Sequence, residues 1–347
     1  MNGPIIAELR QQLIDTYEPL IDKTRPVALI DFPAAINCGD HAIWLGEKAL
    51  LHHLGITPAY QCSMESYDRD ALAAAVKDGT ILMHGGGNFG DVYKYHQFRL
   101  QVLEEFPDNQ VIVLPQSMMF YSTKSLKHTA EMFEAHGKAV ITARDALTHY
   151  NMSKYFGPKT KVLHAPDMAL MLKRLPRRQK PRFDIVWLNR ADLEAANVLP
   201  AADIAKLGEA SNQTLHIVPA KDQPMVVSEF TKVGTSLCVT DWFKCRFTSP
   251  EDVEKFVAYD FDTKSEFWIN WALMILSLGK VVITDRLHGH ILCQLAGIPH
   301  ILLNNNYGKN FTYYDTWSKD TRGCWIVPNA TRALQLAQEV VAKLGAA

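Results

Sequence analysis

The chain has 347 residues, of which 48% are hydrophobic and 21% charged, and its formal net charge is −1. This length is enough for two domains with separate cores, and the composition is typical of a globular protein rather than a disordered one. The charge balance contains no basic excess, which argues against nucleic acid as a partner.

Cysteine usage and the apolar segments indicate a cytoplasmic protein. The six cysteines are scattered without a CxxC pair, and the thirteen histidines include no HExxH motif, so we expect reduced thiols and no structural zinc. Polar residues near the start of the chain argue against a secretory signal; they are Glu8, Arg10, Gln11 and Gln12. The apolar run 267–278 is too short to span a bilayer.

The first half of the chain alternates predicted helices with short apolar strands. A leading helix is predicted over 1–24, and strands follow at 27–31, 80–83, 111–114 and 140–142. Polar residues come directly after each strand, and segments of helical length separate the strands. This alternation predicts a parallel Rossmann-like domain over residues 1–172.

Candidate binding residues follow three of these strands, because ligands bind at the carboxyl ends of parallel strands. The loop 32–39 and the helix start after it carry Asn37, Gly39 and Asp40. A role for Asp40 as the N-cap of that helix is the alternative. The strands at 111–114 and 140–142 end at Pro115-Gln116-Ser117 and at Ala143-Arg144-Asp145.

The strand 80–83 leads directly into a glycine-rich segment, His84-Gly85-Gly86-Gly87-Asn88-Phe89-Gly90-Asp91. Three consecutive glycines forgo side-chain packing, so they indicate a main chain that a ligand approaches closely. We predict a binding loop here, with a plain flexible turn as the alternative. The segment lacks the GxGxxG spacing of dinucleotide-binding folds.

Between the two halves, residues 173–182 read KRLPRRQKPR, with six basic residues in ten. This composition predicts an exposed linker between domains. Contact with anionic lipid or a lipid diphosphate, and hence a peripheral position at the inner membrane face, is the alternative reading.

The second half restarts the alternation of strands and helices. Strands are predicted at 183–188, 215–218, 236–239, 281–284 and 301–303, with an apolar helix from Ser265 and another over 287–295. We expect a second Rossmann-like domain over 183–330. A C-terminal helix follows within 331–347, and packing of this helix back across the first domain is one option.

The segment after the strand 281–284 organises the predicted site. It reads Asp285-Arg286-Leu287-His288-Gly289 and opens a helix, so a guanidinium, an imidazole and a helix N-terminus together indicate an anion site. A salt-bridged arginine and a capping histidine are the alternative. Arg190, after the strand 183–188, and Lys309, in the aromatic loop 307–317, add positive charge.

Five motifs in order resemble the polysaccharide pyruvyl transferases: GDHAI, HGGGNFGD, PQS, ARD and DRLHG, over about residues 31–306. The resemblance implies two Rossmann-like domains whose parallel sheets face a central cleft, as in GT-B enzymes. It also implies transfer of pyruvate from phosphoenolpyruvate to a sugar as a ketal, with phosphate released and no metal or organic cofactor. A lipid-linked sugar of a cell-surface or exopolysaccharide precursor is the expected acceptor.

We divide the candidate residues between the two substrates. Phosphoenolpyruvate is assigned to Arg286, Leu287, His288, Arg190, Arg144 and Lys309. The acceptor sugar is assigned to Asn37, Asp40, Gly86, Gly87, Asn88, Asp91 and Gln116. Arg190 and Arg144 compete for the part of second donor-binding arginine.

His288 is the expected general acid, because an imidazolium among anions retains its proton. Phosphate or carboxylate binding is its alternative role. Asp91 is preferred over Asp40 as the base, since Asp40 has the competing capping role. Two other functions are considered: a nucleotide-sugar glycosyltransferase, in which Glu266 would face the ribose, and a non-catalytic sugar-binding subunit.

Overall fold

The structure, a computed structural model, describes residues 3–188, 210–217, 226–233, 236–239, 245–247, 249–305 and 308–345. The chain divides into two compact units. We call Ala7–Ala35 with Ile43–Leu172 the N-terminal unit, and Met1–Ile6, Ile36–Ala42 and Lys173–Ala347 the C-terminal unit. The short segment Ile36–Ala42 therefore belongs with the second half of the chain, although it lies early in the sequence.

The N-terminal unit is built around a parallel sheet of seven described strands, in the order β2-β1-β3-β5-β6-β7, with β4 also paired to β5. The strands are β1 Val27–Phe32, β2 Tyr60–Ser63, β3 Thr80–Met83, β4 Gly86–Phe89, β5 Gln110–Met118, β6 Ala139–Ala143 and β7 Lys161–His164. The helices are α1 Gly3–Tyr17, α2 Cys38–His53, α3 Arg69–Val76, α4 Tyr95–Glu105, α5 Thr123–His136 and α6 Ala146–Tyr155.

Apolar runs make these strands, and helix caps delimit the helices between them. Every residue of β1 and β3 is buried, which is the pattern of strands covered on both faces. Ser122 caps α5 by accepting a hydrogen bond from the Ser125 amide, and Gly137 ends it with φ 70°. The strand order reverses between β1 and β3, so their carboxyl ends form the switch point where ligands of such sheets bind.

Strand β5 is longer than predicted and continues through Pro115-Gln116-Ser117, where we expected a loop. Its two neighbours explain the extension. Gln116 aligns with Gly86 of β4 on one side and with Ala143 of β6 on the other. Paired edges satisfy the backbone on both sides, so a polar sequence stays extended.

The C-terminal unit contains eight described strands in the order β12-β10-β11-β8-β13-β14-β15, with β9 paired to β10. They are β8 Phe183–Leu188, β9 Ala210–Ile217, β10 Val226–Val233, β11 Ser236–Val239, β12 Cys245–Phe247, β13 Gly279–Thr284, β14 His300–Leu303 and β15 Cys324–Val327. The helices are α7 Pro250–Val257, α8 Phe261–Ser277, α9 Leu287–Ala296, α10 Lys309–Tyr313 and α11 Ala330–Gly345.

The second sheet is parallel from β11 through β8, β13 and β14 to β15, whereas β10 runs antiparallel to β9, β11 and β12. Its strand order reverses between β8 and β13. Two α/β units with largely parallel sheets confirm the predicted fold class, and the GT-B arrangement stays a prediction.

The C-terminal helix α11 packs on the second sheet, against β8, β13, β14 and β15. Its buried face consists of Ala330, Ala333, Leu334, Ala337 and Val340. The apolar face that we considered available for the first domain is therefore used within the C-terminal unit. The aromatic segment 307–317 is also not a loop throughout, because α10 and a π-helical turn, Tyr314–Ser318, occupy most of it.

The basic segment 173–182 is partly docked rather than fully exposed. Arg177 is half-buried and donates to the carbonyls of Gly279, at 2.8 Å, and Ser277, while Gln179 donates to Met274 at 2.7 Å. These contacts cap the end of α8. Five exposed basic side chains remain: Lys173, Arg174, Arg178, Lys180 and Arg182. No described helix is long and apolar enough to cross a membrane.

Helix α2 approaches the short 3₁₀ turn Met168–Met171 closely at Gly46. A Cβ at Gly46 would lie 1.9 Å from the Met168 carbonyl oxygen. We therefore expect Gly46→Ala to lower the free energy of unfolding by about 1–3 kcal/mol. Thermal denaturation measures the change. The matched control is Gly3→Ala in α1, where an added Cβ meets nothing within 4 Å, and an equal loss in both variants contradicts the explanation.

Candidate functional site

The segment Asp285–Gly289 lies where β13 gives way to α9, beside the switch point of the second sheet. Arg286 occupies the N-cap position with extended backbone angles, φ −96° and ψ 123°. Its amide donates to the Thr284 hydroxyl at 3.1 Å. Gly289 is required next to Thr284, because a Cβ there would lie 2.7 Å from that hydroxyl oxygen. The motif is thus held against the strand that precedes it.

The three motif residues assigned to the donor differ in exposure. Arg286 is 5% exposed and Leu287 is buried, whereas His288 is half-buried. Leu287 therefore packs into the core, and its side chain secures the start of α9. Arg286 and His288 are the two polar residues of the motif that were assigned to the donor.

Lys309 is brought close to this motif by its neighbour Asn310. The Asn310 amide donates to the carbonyl of Asp285 at 2.6 Å and to that of Leu303 at 2.9 Å. It thereby fastens α10 across the carboxyl ends of β13 and β14. The Lys309 amide donates to Asn305 at 3.1 Å, so the first turn of α10 is fixed on both sides.

The early segment Ile36–Ala42 carries the start of α2 to His288. A Cβ added to Gly39 would lie 2.2 Å from Nδ1 of His288 and 2.5 Å from Cγ. The imidazole therefore rests on the bare main chain of Gly39. His288 is in the first turn of α9 and Gly39 in the first turn of α2, so two helix N-termini meet here. Their partial positive charges favour an anion.

Asn37, and not Asp40, takes the N-cap position of α2. The Asn37 carboxamide oxygen accepts from the Gly39 amide at 3.1 Å, and its nitrogen donates to the Asp40 carboxylate at 2.7 Å. Asp40 lies in the first turn and is half-buried. The capping role that we weighed against Asp40 is therefore wrong, and this carboxylate lies one residue from the glycine that supports His288.

His41 fixes this helix start within the C-terminal unit. Its Nδ1 is 3.0 Å from the Ser265 hydroxyl, and its ring stacks on Trp268 with centroids 6.4 Å apart. Both partners lie on α8. The start of α2 therefore contacts α8 through His41 and α9 through Gly39.

In the N-terminal unit, the glycine segment is a strand rather than the loop we predicted. Gly86, Gly87 and Asn88 lie in β4, which pairs with β5. Below it, the buried Glu47 carboxylate accepts from the Gly85 amide at 2.8 Å and lies 2.9 Å from Nδ1 of His84. The glycines thus let β4 lie close to β5, since a Cβ at Gly85 would be 2.8 Å from the Pro115 oxygen.

The buried Arg99 side chain contacts β4 and the segment before it. Its guanidinium donates to the side chain of Asn88 at 2.8 Å, to the carbonyl of His84 at 3.3 Å and to the Asp31 carboxylate at 2.9 Å. Burial lowers the pKa of the Arg99 guanidinium, while the nearby carboxylates of Asp31 and Glu47 act in the opposite direction. Asn88 is consequently committed to a structural contact through its oxygen.

Asp91 is occupied by the loop that follows β5. Its two carboxylate oxygens accept from the backbone amides of Tyr121, at 2.7 Å, and Ser122, at 2.8 Å. This arrangement makes Asp91 a tether for that loop. Asp91 thus has a structural role, whereas the capping role that counted against Asp40 belongs to Asn37.

Gln116 and Arg144 are both buried in the N-terminal unit. The Gln116 amide donates to the His84 carbonyl at 2.8 Å. Arg144 is 2.7 Å from the Asp167 carboxylate and donates to Ser117 at 2.9 Å. These contacts favour supporting roles for both residues. Arg190, the competitor of Arg144, lies outside the described residues, just after β8 ends at Leu188.

Sequence reasoning missed the residues whose contacts position the candidate segments. They are Asp31, Glu47 and Arg99 in the N-terminal unit, and His41, Ser265 and Asn310 in the C-terminal unit. Each pairs with a residue far away in the chain, such as Arg99 with Asp31 or His41 with Ser265. Only Asp31 could have been found from the sequence, because a charged residue within an apolar strand indicates a buried charge that needs a partner.

The family model for polysaccharide pyruvyl transferases matches residues 37–259 and 266–307. Pyruvyl transferase 1 of Schizosaccharomyces pombe is 29% identical, covering 95% of this chain and 80% of the relative. EpsO of Bacillus subtilis is 27% identical, over 93% of this chain and 95% of the relative.

The crystal structure of a functionally uncharacterized Klebsiella pneumoniae protein has the same fold. It aligns with a TM-score of 0.59 and 16% identity, covering 92% of this chain and 98% of that chain. The matched family region spans most of the chain and contains both the glycine strand and the DRLHG motif. The chain therefore belongs to the polysaccharide pyruvyl transferase family.

Proposed function

We propose that the protein transfers the pyruvyl group of phosphoenolpyruvate to a sugar of a cell-surface or exopolysaccharide precursor, forming a ketal and releasing phosphate. One observation carries the proposal: the N-termini of α2 and α9 meet at His288, with Arg286 at the N-cap of α9. Membership of the family and the name of the S. pombe relative support the coarser part of this proposal, the transfer of a pyruvyl group.

The electrostatics of this corner suit phosphoenolpyruvate, which carries a carboxylate and a phosphate. Arg286 offers a planar fork of donors that matches either group. The first-turn amides of two helices add donors and partial positive charge. Lys309, at the start of α10, adds a further cation. The shared feature of these groups is that they bind oxygen anions.

In the proposed reaction, His288 protonates the methylene carbon of the enol and leaves a cationic C2. Two sugar hydroxyls attack C2 in turn, and its bond to the phosphate oxygen breaks as phosphate leaves. Asp40, which is half-buried beside the glycine under His288, accepts the proton of one attacking hydroxyl. The proton of the other hydroxyl passes to the released phosphate, which leaves as hydrogen phosphate. Arg286 stabilises the charge on the departing phosphate.

The acceptor contacts are proposed for the exposed part of the glycine strand. Gly87 and Asn88 are half-buried, and Asp91 follows them. A lipid-linked precursor is the proposed form of the acceptor, with the five exposed cations of segment 173–182 available to anionic lipid. The reaction is proposed to take place in the cytoplasm, where phosphoenolpyruvate is made.

His288→Asn removes the proton donor while retaining a polar side chain of similar reach. We expect kcat to fall about 10²- to 10⁴-fold. The assay measures phosphate release from phosphoenolpyruvate together with an acid-labile mass gain on the acceptor. His52→Asn, an exposed histidine of α2, is the matched control. Full activity of His288→Asn would contradict the proposed role of His288. Turnover of nucleotide sugars in place of phosphoenolpyruvate would contradict the proposed reaction.

Gly39→Ala places a methyl group against the ring of His288. Because a shift of about 1 Å in a catalytic group costs on the order of 100-fold in rate, we expect a comparable loss of kcat/KM. The same variant should be less stable than wild type. In the His288→Ala background, however, the two ring atoms nearest to the added methyl group are absent and only Cβ of residue 288 stays 2.8 Å from it, so the loss of stability should become smaller. An equal loss in both backgrounds means that the clash is elsewhere.

Comparison of Asp40→Asn with Asp91→Asn distinguishes a catalytic role, proposed for Asp40, from a structural role in positioning a loop, proposed for Asp91. Asp40→Asn should lower kcat at least 100-fold with little change in the unfolding midpoint. Asp91→Asn should lower the midpoint, since it weakens the acceptors of two backbone amides. Activity loss in Asp91→Asn without any loss of stability would restore Asp91 as the base.

A further inference from the structure

Behind the DRLHG motif, the fold gathers two histidines and a cysteine that play no part in the proposed reaction. They are His290 of α9, His300 at the start of β14 and Cys324 at the start of β15, and all three are buried. Their ligand atoms lie within 4.8 Å of one another. They form the one such group of three potential ligands among the described residues. We call these residues the His290 cluster.

The distances within the His290 cluster approach those of a metal site. Nδ1 of His290 is 2.8 Å from Nε2 of His300 and 3.4 Å from Sγ of Cys324. Around a tetrahedral Zn²⁺, the corresponding separations are about 3.3 Å and 3.6 Å. An ion therefore requires the two nitrogens to move apart by about 0.5 Å, whereas the separation between Nδ1 of His290 and Sγ of Cys324 already fits.

The outer nitrogen of each imidazole is already held in the way that metal-binding histidines require. Nδ1 of His300 is 2.8 Å from the Ile298 carbonyl, which can only accept, so this nitrogen carries the proton. Nε2 of His300 therefore presents a lone pair to the cluster. Nε2 of His290 is 2.8 Å from the Ser318 hydroxyl. Such partners fix the ring orientation of metal ligands.

We propose that His290, His300 and Cys324 bind a transition-metal ion of the Zn²⁺ class, through two imidazole nitrogens and a thiolate. Two nitrogens and one thiolate are a ligand set that Zn²⁺ accepts, with a water molecule in the fourth position. Binding displaces the thiol proton of Cys324 to solvent. The ion ties α9 to the first residues of β14 and β15, and none of its three ligands takes part in the proposed transfer reaction.

Burial keeps these ligands uncharged until an ion binds. It lowers the pKa of His300 to about 4 and that of His290 well below its usual value, and it raises the pKa of the Cys324 thiol. Both imidazoles are thus neutral and able to ligate. The competing arrangement is a metal-free chain, in which the Ser318 hydroxyl donates to His290 and Nδ1 of His290 donates to His300.

The test measures metal in the tag-free, full-length protein produced with added Zn²⁺, and the absorption of protein produced with Co²⁺. We expect about one Zn²⁺ per chain and a thiolate-to-cobalt charge-transfer band. Cys324→Ser should lose the band and at least tenfold of the metal. Cys62→Ser, which removes a buried cysteine of the N-terminal unit, should retain both.

Nitrogen NMR of the wild-type histidines makes the test independent of the folding of any variant. Metal binding predicts a proton on Nε2 of His290 and none on Nδ1. A proton on Nδ1, or metal far below one equivalent in the wild-type protein, overturns the proposal in favour of the metal-free chain. Neither result bears on phosphoenolpyruvate transfer, which is measured separately.

Discussion

The contact between the Gly39 main chain and the His288 ring is the constraint on which the candidate site depends. A glycine is required there because any Cβ would overlap the imidazole. The contact joins a segment near residue 40 to one near residue 288, so it fixes two helix N-termini at the same point. In the proposed site, an anion would lie at the positive ends of both helices, next to Arg286 at the N-cap of α9. Preorganised positive charge is what binding of a doubly anionic donor requires.

The N-terminal unit places several charged groups in its core to hold β4. Asp31, Glu47 and Arg99 are each at most 2% exposed, and desolvation of charges costs several kcal/mol per ion. Hydrogen bonds to the backbone and to one another offset that cost, as in the contacts of Arg99 with Asp31 and Asn88. Two of the four residues of β4 are glycines, so the strand has few side chains to position it, and hydrogen bonds from buried polar groups replace them. The buried charges therefore specify the position of β4 more than they stabilise the fold.

The sequence was sufficient to predict elements whose signal is local. Apolar runs predicted β8 and β11 at their observed bounds and β13 to within two residues, because burial on both faces requires continuous hydrophobic residues. The motif at the start of α9 was also predicted at the correct place. Polar segments were predicted less well than apolar ones. Pro115-Gln116-Ser117 reads as a loop, yet pairing on both sides keeps it extended, and no local pattern encodes those partners.

The roles of individual side chains were harder to predict than the elements that carry them. Asp40 and Asp91 have similar surroundings in the sequence, since each follows a strand and lies at or shortly before the start of a helix. Only tertiary contacts distinguish them: Asn37 takes the cap and leaves Asp40 beside Gly39, whereas distant amides occupy Asp91.

The same limit applies to metal ligands. We expected no structural zinc because no cysteine or histidine has a partner at the usual spacing, but His290, His300 and Cys324 meet through three separate elements of the second sheet and its helix. Spacing rules detect metal sites whose ligands lie close together in the sequence. Here the starts of two neighbouring strands bring together residues that are far apart: His300 lies 10 positions after His290, and Cys324 lies 24 positions after His300. In this protein, then, both the anion site and the His290 cluster depend on the path of the backbone around α9, which presents His288 to one and His290 to the other.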